Sequence, residues 1–393
     1  MYSIHNILFV YWLALCSNNA FSAQSDSIYY YDAVNKIEYH LPGAIEDTLK
    51  INDAVEGYYG SMGNVSIFDL ELPLPLGNDS MFTGHELAEN DFDMLSYPIR
   101  AVARINAYYD PGGYGCSAVL IDDNFLLTSG HCILREGKRD IWPDSVVIRF
   151  AFNDSAVPYS IGEGISKEYF IFQKWAKWGG YDGDFALLKL PYSIGNYIGW
   201  LGYGFSEIDT FYYNSVFHRF SYPGTYGFDF IDMYYSYGTF KSYNGILLAS
   251  GNRKIPGESG SGFFETDNER FTVYGGLTLQ DGAPKISRDQ FYTIQEIINA
   301  NPAEPYAEKE IELFVYPNPT SDYLYIRPLF KFNKIISLNI QTVTGQEIYL
   351  SEEEKIYGGD KIILNVSGLN AGLYFLKTII DNNSYLNQVI ITN

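Results

Sequence analysis

The stretch Leu126-Leu127-Thr128-Ser129-Gly130-His131-Cys132 runs from an apolar strand into a turn of small residues that delivers a histidine. Ser129 and Gly130 leave room beside the imidazole, and no such bracket surrounds His40, His85 or His218. Outward from it, Ala101-Val102-Ala103-Arg104-Ile105 and Ser117-Ala118-Val119-Leu120-Ile121 are short apolar runs separated by Gly, Asn, Asp and Pro. That is the spacing of strands and turns in a barrel or sandwich. Composition agrees: the 393 residues include 36 Tyr and 26 Phe but only 19% charged residues, and aromatic side chains suit half-buried pleated surfaces. The chain is therefore expected to be all-β.

Two further segments complete a chemical constellation. Gly183-Asp184-Phe185-Ala186-Leu187-Leu188 puts a carboxylate at the head of an apolar strand, where burial is costly unless the charge is paired. Asp182, in a glycine-bounded turn, competes for the role. In Pro256-Gly257-Glu258-Ser259-Gly260-Ser261-Gly262, glycines flank Ser259 ahead of another strand, and Ser261 is the other serine within reach. Peptide hydrolysis by serine needs a base, a carboxylate that holds the base in the right tautomer, and donors for the oxyanion. His131, Asp184 and Ser259 supply the first set, and the N–H groups of Gly257 and Ser259 are candidates for the oxyanion hole. The order His, Asp, Ser differs from that of subtilisin-like and α/β-hydrolase enzymes.

The three segments resemble the signature blocks of chymotrypsin-fold peptidases, Leu-Thr-Ala-Ala-His-Cys, Asp-Ile-Ala-Leu-Leu and Gly-Asp-Ser-Gly-Gly-Pro, over about residues 96–300. Gly257-Glu258-Ser259-Gly260-Ser261 and Ser221-Tyr222-Pro223-Gly224 look more like the bacterial glutamyl-endopeptidase branch. The resemblance implies two six-stranded antiparallel β-barrels with the triad in the cleft between them, His131 and Asp184 on the first barrel and Ser259 on the second. Gly262 stands where Pro is usual, and Glu258 where Asp or Asn is usual. Animal relatives are activated when a new Ile-Val-Gly-Gly terminus pairs with that Asp. No such sequence is visible here, although Glu258 is able to accept an N-terminal amine. Arg253, six residues before Ser259, stands where relatives place the base of the specificity pocket, and a cation there favours acidic side chains before the scissile bond. Thr278, in Gly276-Leu277-Thr278-Leu279, stands where glutamyl enzymes carry a recognition histidine. Both are taken as candidate substrate-binding residues.

The chain ends frame this unit. Residues 1–23 read as a secretory signal peptide, with an apolar run Ile7–Cys16 followed by polar and small residues. Cys16 leaves a lipid anchor as the alternative. Residues 24–95 carry no chemical motif and read as a propeptide or N-terminal extension, with edge strands packed on the following domain as the competing view. Gln290–Ala300 has apolar residues at helical spacing, so a helix closes the 96–300 domain; residues 301–311 read as a linker. Residues 312–393 form a small antiparallel sandwich. Val315-Tyr316-Pro317-Asn318-Pro319-Thr320, Val343-Thr344-Gly345-Gln346 and Leu369-Asn370-Ala371-Gly372-Leu373-Tyr374 make it similar to the type IX secretion sorting domains of Bacteroidetes proteins. That resemblance implies the type IX secretion machinery as a partner, and a secreted or cell-surface location reached through the periplasm.

Removal of the signal peptide leaves Cys116 and Cys132, expected to form one disulfide in an exported protein, with two buried thiols as the alternative. A net charge of −21 without a basic stripe argues against nucleic acid. No later stretch reaches the roughly 18 apolar residues of a membrane span. Cys and His lack zinc-site spacing and the acidic pairs lack a calcium-loop pattern, so no metal or organic cofactor is implied. The expectation is a secreted serine endopeptidase acting on extracellular proteins or peptides through an acyl-enzyme. The alternative is a surface adhesin that keeps the fold without turnover.

Overall fold

A computed structural model describes residues 27–43, 55–63, 72, 82–94, 96–110, 112–134, 141–153, 162–243, 246–248, 254–267, 270–278, 282–305, 313–316, 318–328, 335–355, 362–380 and 383–392. The signal peptide expected over 1–23 and Arg253 lie outside the described residues. The chain divides into two units, one drawn mainly from residues up to 306 and one from 307–393.

In the first unit the N-terminal segment contributes β1 (Ile28–Asp32), β2 (Ile37–Leu41), β3 (Val55–Tyr58) and β4 (Glu86–Leu87). There follow β5 (Val102–Tyr108), β6 (Gly113–Leu120), β7 (Phe125–Thr128), β8 (Ser145–Phe150), β9 (Gly162–Ser166), β10 (Glu168–Phe172) and β11 (Ala186–Lys189). The second half supplies β12 (Gly202–Ser206), β13 (Phe217–Ser221), β14 (Tyr234–Gly238), β15 (Lys241–Tyr243), β16 (Ile246–Leu248), β17 (Gly262–Asp267), β18 (Arg270–Gly276) and β19 (Gly282–Pro284). Hydrogen bonds join them in the orders β2-β1-β10-β11-β7-β6-β5-β8-β9, β3-β12-β18-β17-β13-β14-β4 and β15-β16-β19.

The all-β expectation holds, but two closed six-stranded barrels do not describe these sheets. Among the described residues they run open, with nine and seven strands. The N-terminal segment is part of the reason. β1 pairs with the outer side of β10, β3 with β12 and β4 with β14, so edge groups that need partners find them on added strands. The described strands of that segment, β1 to β4, thus pair at the edges of these sheets.

Phe82, Phe217, Phe240 and Phe263 pack in one aromatic-rich core cluster with Tyr212 and Tyr274. The short helices α1 (Gln173–Trp178), α2 (Gly195–Ile198) and α3 (Asp209–Asn214) sit in connections. Helix α4 (Arg288–Ala300) closes the unit as expected, and starts in a capping box: Ser287 Oγ accepts from Gln290 N at 3.2 Å while Gln290 Oε1 accepts from Ser287 N at 2.9 Å. Residues 301–304, expected to begin a linker, are tied down instead. Ser193 N donates to Glu304 O at 3.0 Å, and Asn301 O accepts from Asn124 Nδ2 at 3.4 Å.

The second unit holds β20 (Leu313–Tyr316), β21 (Tyr323–Pro328), β22 (Ile335–Thr342), β23 (Glu347–Lys355), β24 (Ile362–Asn365), β25 (Gly372–Ile380) and β26 (Asn383–Ile391). A three-stranded sheet, β20-β21-β24, and a four-stranded one, β23-β22-β25-β26, share one core. Leu324, Ile326 and Leu364 from the first meet Leu338, Ile340, Leu376 and Val389 from the second. Period-two alternation produces this: Leu324 and Ile326 are buried, while Tyr323 is exposed and Tyr325 between them is half-buried. All strand pairings here are antiparallel, as the sandwich reading requires.

Candidate active site

Strand β7 is buried along its length, paired with β6 on one side and β11 on the other. It ends at Thr128, and beyond Ser129 the residues Gly130–Cys132 form a single 3-10 turn carrying His131. Gly130 is required by close approach: a Cβ there would stand 2.6 Å from Trp175 Cδ1. Trp175, a residue that reading the sequence overlooked, stands edge-on to the His131 ring with centroids 6.0 Å apart and donates from Nε1 to Leu134 O at 2.9 Å. Tyr114 OH donates to the His131 carbonyl. A disulfide joins Cys116 on β6 to Cys132, with Cα atoms 6.2 Å apart, so the histidine turn is tied to the neighbouring strand.

Asp184 follows the turn Tyr181–Gly183 and precedes β11. Its side chain is fully buried, and its two oxygens accept from three groups. His131 N donates to Oδ1 at 2.8 Å; His131 Nδ1 lies 2.7 Å from Oδ2; Thr278 Oγ1 donates to Oδ2. A carboxylate so placed holds the Nδ1–H tautomer and leaves Nε2 as the acceptor. The competitor Asp182 is instead ion-paired with Lys174 at the surface.

Thr278 was read as a substrate-binding residue, but the structure takes its hydroxyl to Asp184, with the side chain buried. The sequence put Thr278 just beyond β18 without revealing which way it turns. The described cation in that neighbourhood is Lys254, whose Nζ donates to Thr278 O at 3.1 Å. Its position beside Arg253 in the sequence was the available signal.

The Ser259 turn is built on two left-handed glycines, Gly257 (φ 102°) and Gly260 (φ 83°). It is stitched to β6 and β7. Ser117 N donates to Ser259 O at 2.8 Å, Ser117 Oγ to Gly257 O at 2.9 Å, and Thr128 Oγ1 to Ser117 O at 2.8 Å. Leu277 O accepts from both Gly260 N at 2.8 Å and Ser129 Oγ at 2.6 Å. Cys132 Sγ lies 3.7 Å from Ser259 O and 4.0 Å from His131 Nε2, so the serine turn and the open imidazole nitrogen meet at one sulfur. Gly257 N and Ser259 N donate to no backbone acceptor among the described residues. Ser261, the rival serine, is fully buried with its Oγ unpartnered among the described residues.

Glu258 faces away from this cluster into the second sheet, where Arg219 and His85 meet its carboxylate. The remaining histidines are accounted for: His40 is exposed beside Glu38, and His218 is buried against Tyr235 OH, where desolvation pushes it down to about 4. The one grouping of three potential metal ligands among the described residues, Cys116, His131 and Cys132, has both sulfurs in the disulfide and so offers a metal little beyond the imidazole.

Residues 94–207 match the trypsin family, and residues 314–392 match the secretion system C-terminal sorting domain. An extracellular metalloprotease of Bacillus subtilis is 28% identical over 110 residues, which are 28% of this chain and 34% of that protein. A glutamyl endopeptidase of Bacillus licheniformis is 25% identical over 191 residues, 47% of this chain and 54% of that protein. The chain thus spans about a third to a half of the length of these curated relatives. Among solved structures, a Glu endopeptidase aligns at 19% identity and a TM-score of 0.44, covering 56% of this chain and 97% of its own. The protease Anisep from Arthrobacter nicotinovorans aligns at 16% identity and 0.43, covering 50% and 94%.

Proposed function

We propose that this chain, which carries a trypsin-family domain and a C-terminal secretion sorting domain, is a serine endopeptidase exported to the cell surface or medium. The observation that carries the reading is the fully buried Asp184 holding His131 by Nδ1, beside a serine turn whose amides at 257 and 259 donate to no backbone acceptor among the described residues.

In this mechanism Ser259 Oγ bonds to the scissile carbonyl carbon as its proton passes to His131 Nε2. The carbonyl oxygen becomes an oxyanion, met by the N–H groups of Gly257 and Ser259. The carbon–nitrogen bond then breaks as Nε2–H gives its proton to the leaving amine, which leaves an acyl-enzyme. Water attacks the ester with His131 again taking a proton, and Ser259 recovers it when the acid departs. Asp184 stays ionised throughout and stabilises the imidazolium. Thr278 supports Asp184 in this scheme.

The preferred substrate is a peptide with an acidic side chain before the scissile bond. Lys254 supports this, since it stands five residues before Ser259 with its ammonium at the Thr278 carbonyl; Arg253 adds a second cation next to it in the chain. The name of the Bacillus licheniformis relative points the same way. Substrate proteins and the secretion machinery are the partners, and no helix among the described residues is long and apolar enough to cross a membrane.

The test is to incubate the secreted protein and a Ser259→Ala variant with casein and a serine-directed fluorophosphonate, and to map label and cleavage sites by mass spectrometry. Label on Ser259, with cleavage after Glu or Asp that the variant lacks, is the expected result. Folded protein that shows neither label nor cleavage would instead support a binding protein on a peptidase fold.

A further inference from the structure

Glu258 sits immediately before Ser259, and its side chain is fully buried. A buried carboxylate persists only when its oxygens are filled with donors. Oε1 receives His85 Nε2 at 2.7 Å, Arg219 Nη2 at 2.9 Å and Ser221 Oγ at 3.0 Å; Oε2 receives Ile255 N at 2.8 Å. Burial works against the charge, yet Arg219 and His85 outweigh it and hold the carboxyl below its ordinary value.

Three of these donors come from the strands and turn around Ser259. The fourth, His85, comes from 173 residues away, in a segment that precedes the residues matching the trypsin family. That segment is bound on both sides of the histidine. Ahead of it, Thr83 N donates to Tyr237 O at 2.9 Å, and the Phe82 ring packs on Phe240 at 4.7 Å. Behind it, β4 pairs with β14, and Ala88 N donates to Met233 O at 3.0 Å. The His85 ring itself lies 5.5 Å from that of Phe228, and its side chain is 8% exposed.

The backbone around Glu258 carries the amides proposed for the oxyanion. Glu258 N donates to Ile255 O at 3.1 Å and Ser261 N to Glu258 O at 3.0 Å, so the turn is tight on both sides of the carboxylate-bearing residue. The carboxylate and these peptide planes belong to one residue, so the donors that fix Oε1 and Oε2 also bear on the amides on either side of Glu258.

We infer that His85 is a positioning residue for the Ser259 turn, and that residues 82–90 are a retained part of the working protein rather than a removable propeptide. The inference rests on the serine endopeptidase reading. It places any N-terminal processing before Phe82, and it needs no new chain terminus at Glu258, whose carboxylate is already filled from within.

The experiment uses the full chain and three proteins: wild type, His85→Phe, which keeps the ring volume without a donor, and His85→Gln, which restores an amide donor. Each is titrated for folded protein, then assayed for kcat, KM and the rate of fluorophosphonate labelling. His85→Phe is expected to lower kcat and labelling rate by about 10- to 100-fold with KM little changed, because small misplacements of reacting groups act on rate. His85→Gln is expected to recover most of that loss. A purely structural histidine would lower the folded fraction but not the labelling rate per folded molecule, and equal rates in His85→Phe and wild type overturn the inference. Should His85→Phe fail to fold, digestion of the labelled wild-type protein decides: peptides covering 82–90 are expected, and their loss from labelled, active protein overturns it. A wild type that takes no label on Ser259 refutes the underlying reading instead.

Discussion

Replacement of Gly260 by alanine tests whether the Ser259 turn is held as tightly as the structure shows. A Cβ at that position would stand 2.1 Å from Thr128 Oγ1 and 2.3 Å from Ser117 O, both in the scaffold that carries His131. Cβ contacts below 3.0 Å do not occur, so the turn and β6–β7 must part by nearly 1 Å. Misplacement on that scale costs about 10²-fold in rate. The left-handed backbone, φ 83°, adds about 1–2 kcal/mol of strain for a residue with a Cβ. In a domain of this size that strain lowers Tm by roughly 2–8 °C, before any cost of the clash. Gly112→Ala is the control, for Gly112 has φ 96° with nothing within 4 Å of an added Cβ. It carries the strain without the displacement. Stopped-flow or steady-state hydrolysis of a peptide ester, with active sites titrated, should show kcat reduced about 10²-fold in Gly260→Ala and unchanged in Gly112→Ala. If Gly260→Ala keeps the wild-type kcat, or both variants lose activity alike, the close fit between the serine turn and the histidine strand is not what sets the rate.

Asp184→Asn should lower kcat by about 10⁴-fold with KM little changed, since an amide cannot hold the Nδ1–H tautomer; steady-state kinetics on a peptide ester check it. Glu258 supplies a pH dependence of stability. Its folded-state pKa is depressed, so its stabilisation is complete above the ordinary glutamate value and is lost as pH falls through the lower native one. Thermal melts across the acid range should show that loss in the wild type and a shallower acid slope in Glu258→Gln, which also starts from a lower Tm at neutral pH. Replacing Cys116 and Cys132 together by serine should cost about 3 kcal/mol in urea denaturation, from release of the loop that the disulfide closes. Lys254→Ala should reduce kcat/KM about tenfold for peptides with Glu before the scissile bond and leave those with Leu unaffected; an unchanged ratio removes Lys254 from specificity.

The parts of this site that could be read from the sequence are those whose chemistry is local. His131 and Asp184 each stand at the end of a buried apolar strand beside small residues, and Ser259 is bracketed by glycines whose positive φ the turn uses. The C-terminal sandwich was legible because Leu324 and Ile326 alternate cleanly with outward residues. Legibility failed where the partner is remote or the pattern is masked by composition. In Ile28-Tyr29-Tyr30-Tyr31 the inward and outward faces both carry tyrosine, so a period of two is invisible although Ile28 and Tyr30 are buried. Thr278 was assigned by position to the substrate, but its hydroxyl has a buried carboxylate to satisfy, and a short hydroxyl arm goes to the nearest strong acceptor. Nothing local to Glu258 points to His85.

The sheet edges give the N-terminal segment a second reason to stay. Without β1, β3 and β4, strands β10, β12 and β14 would each become the last of their sheets, with a row of unpaired N–H and C=O groups. Exposed edges of that kind recruit other chains, and the aromatic side chains around Phe82 would be uncovered with them. A propeptide that merely blocks a cleft can leave without such a cost. This segment covers edges, fills part of an aromatic core and brings His85 to the carboxylate beside Ser259, so the three contributions are lost together if the chain is cut after His85.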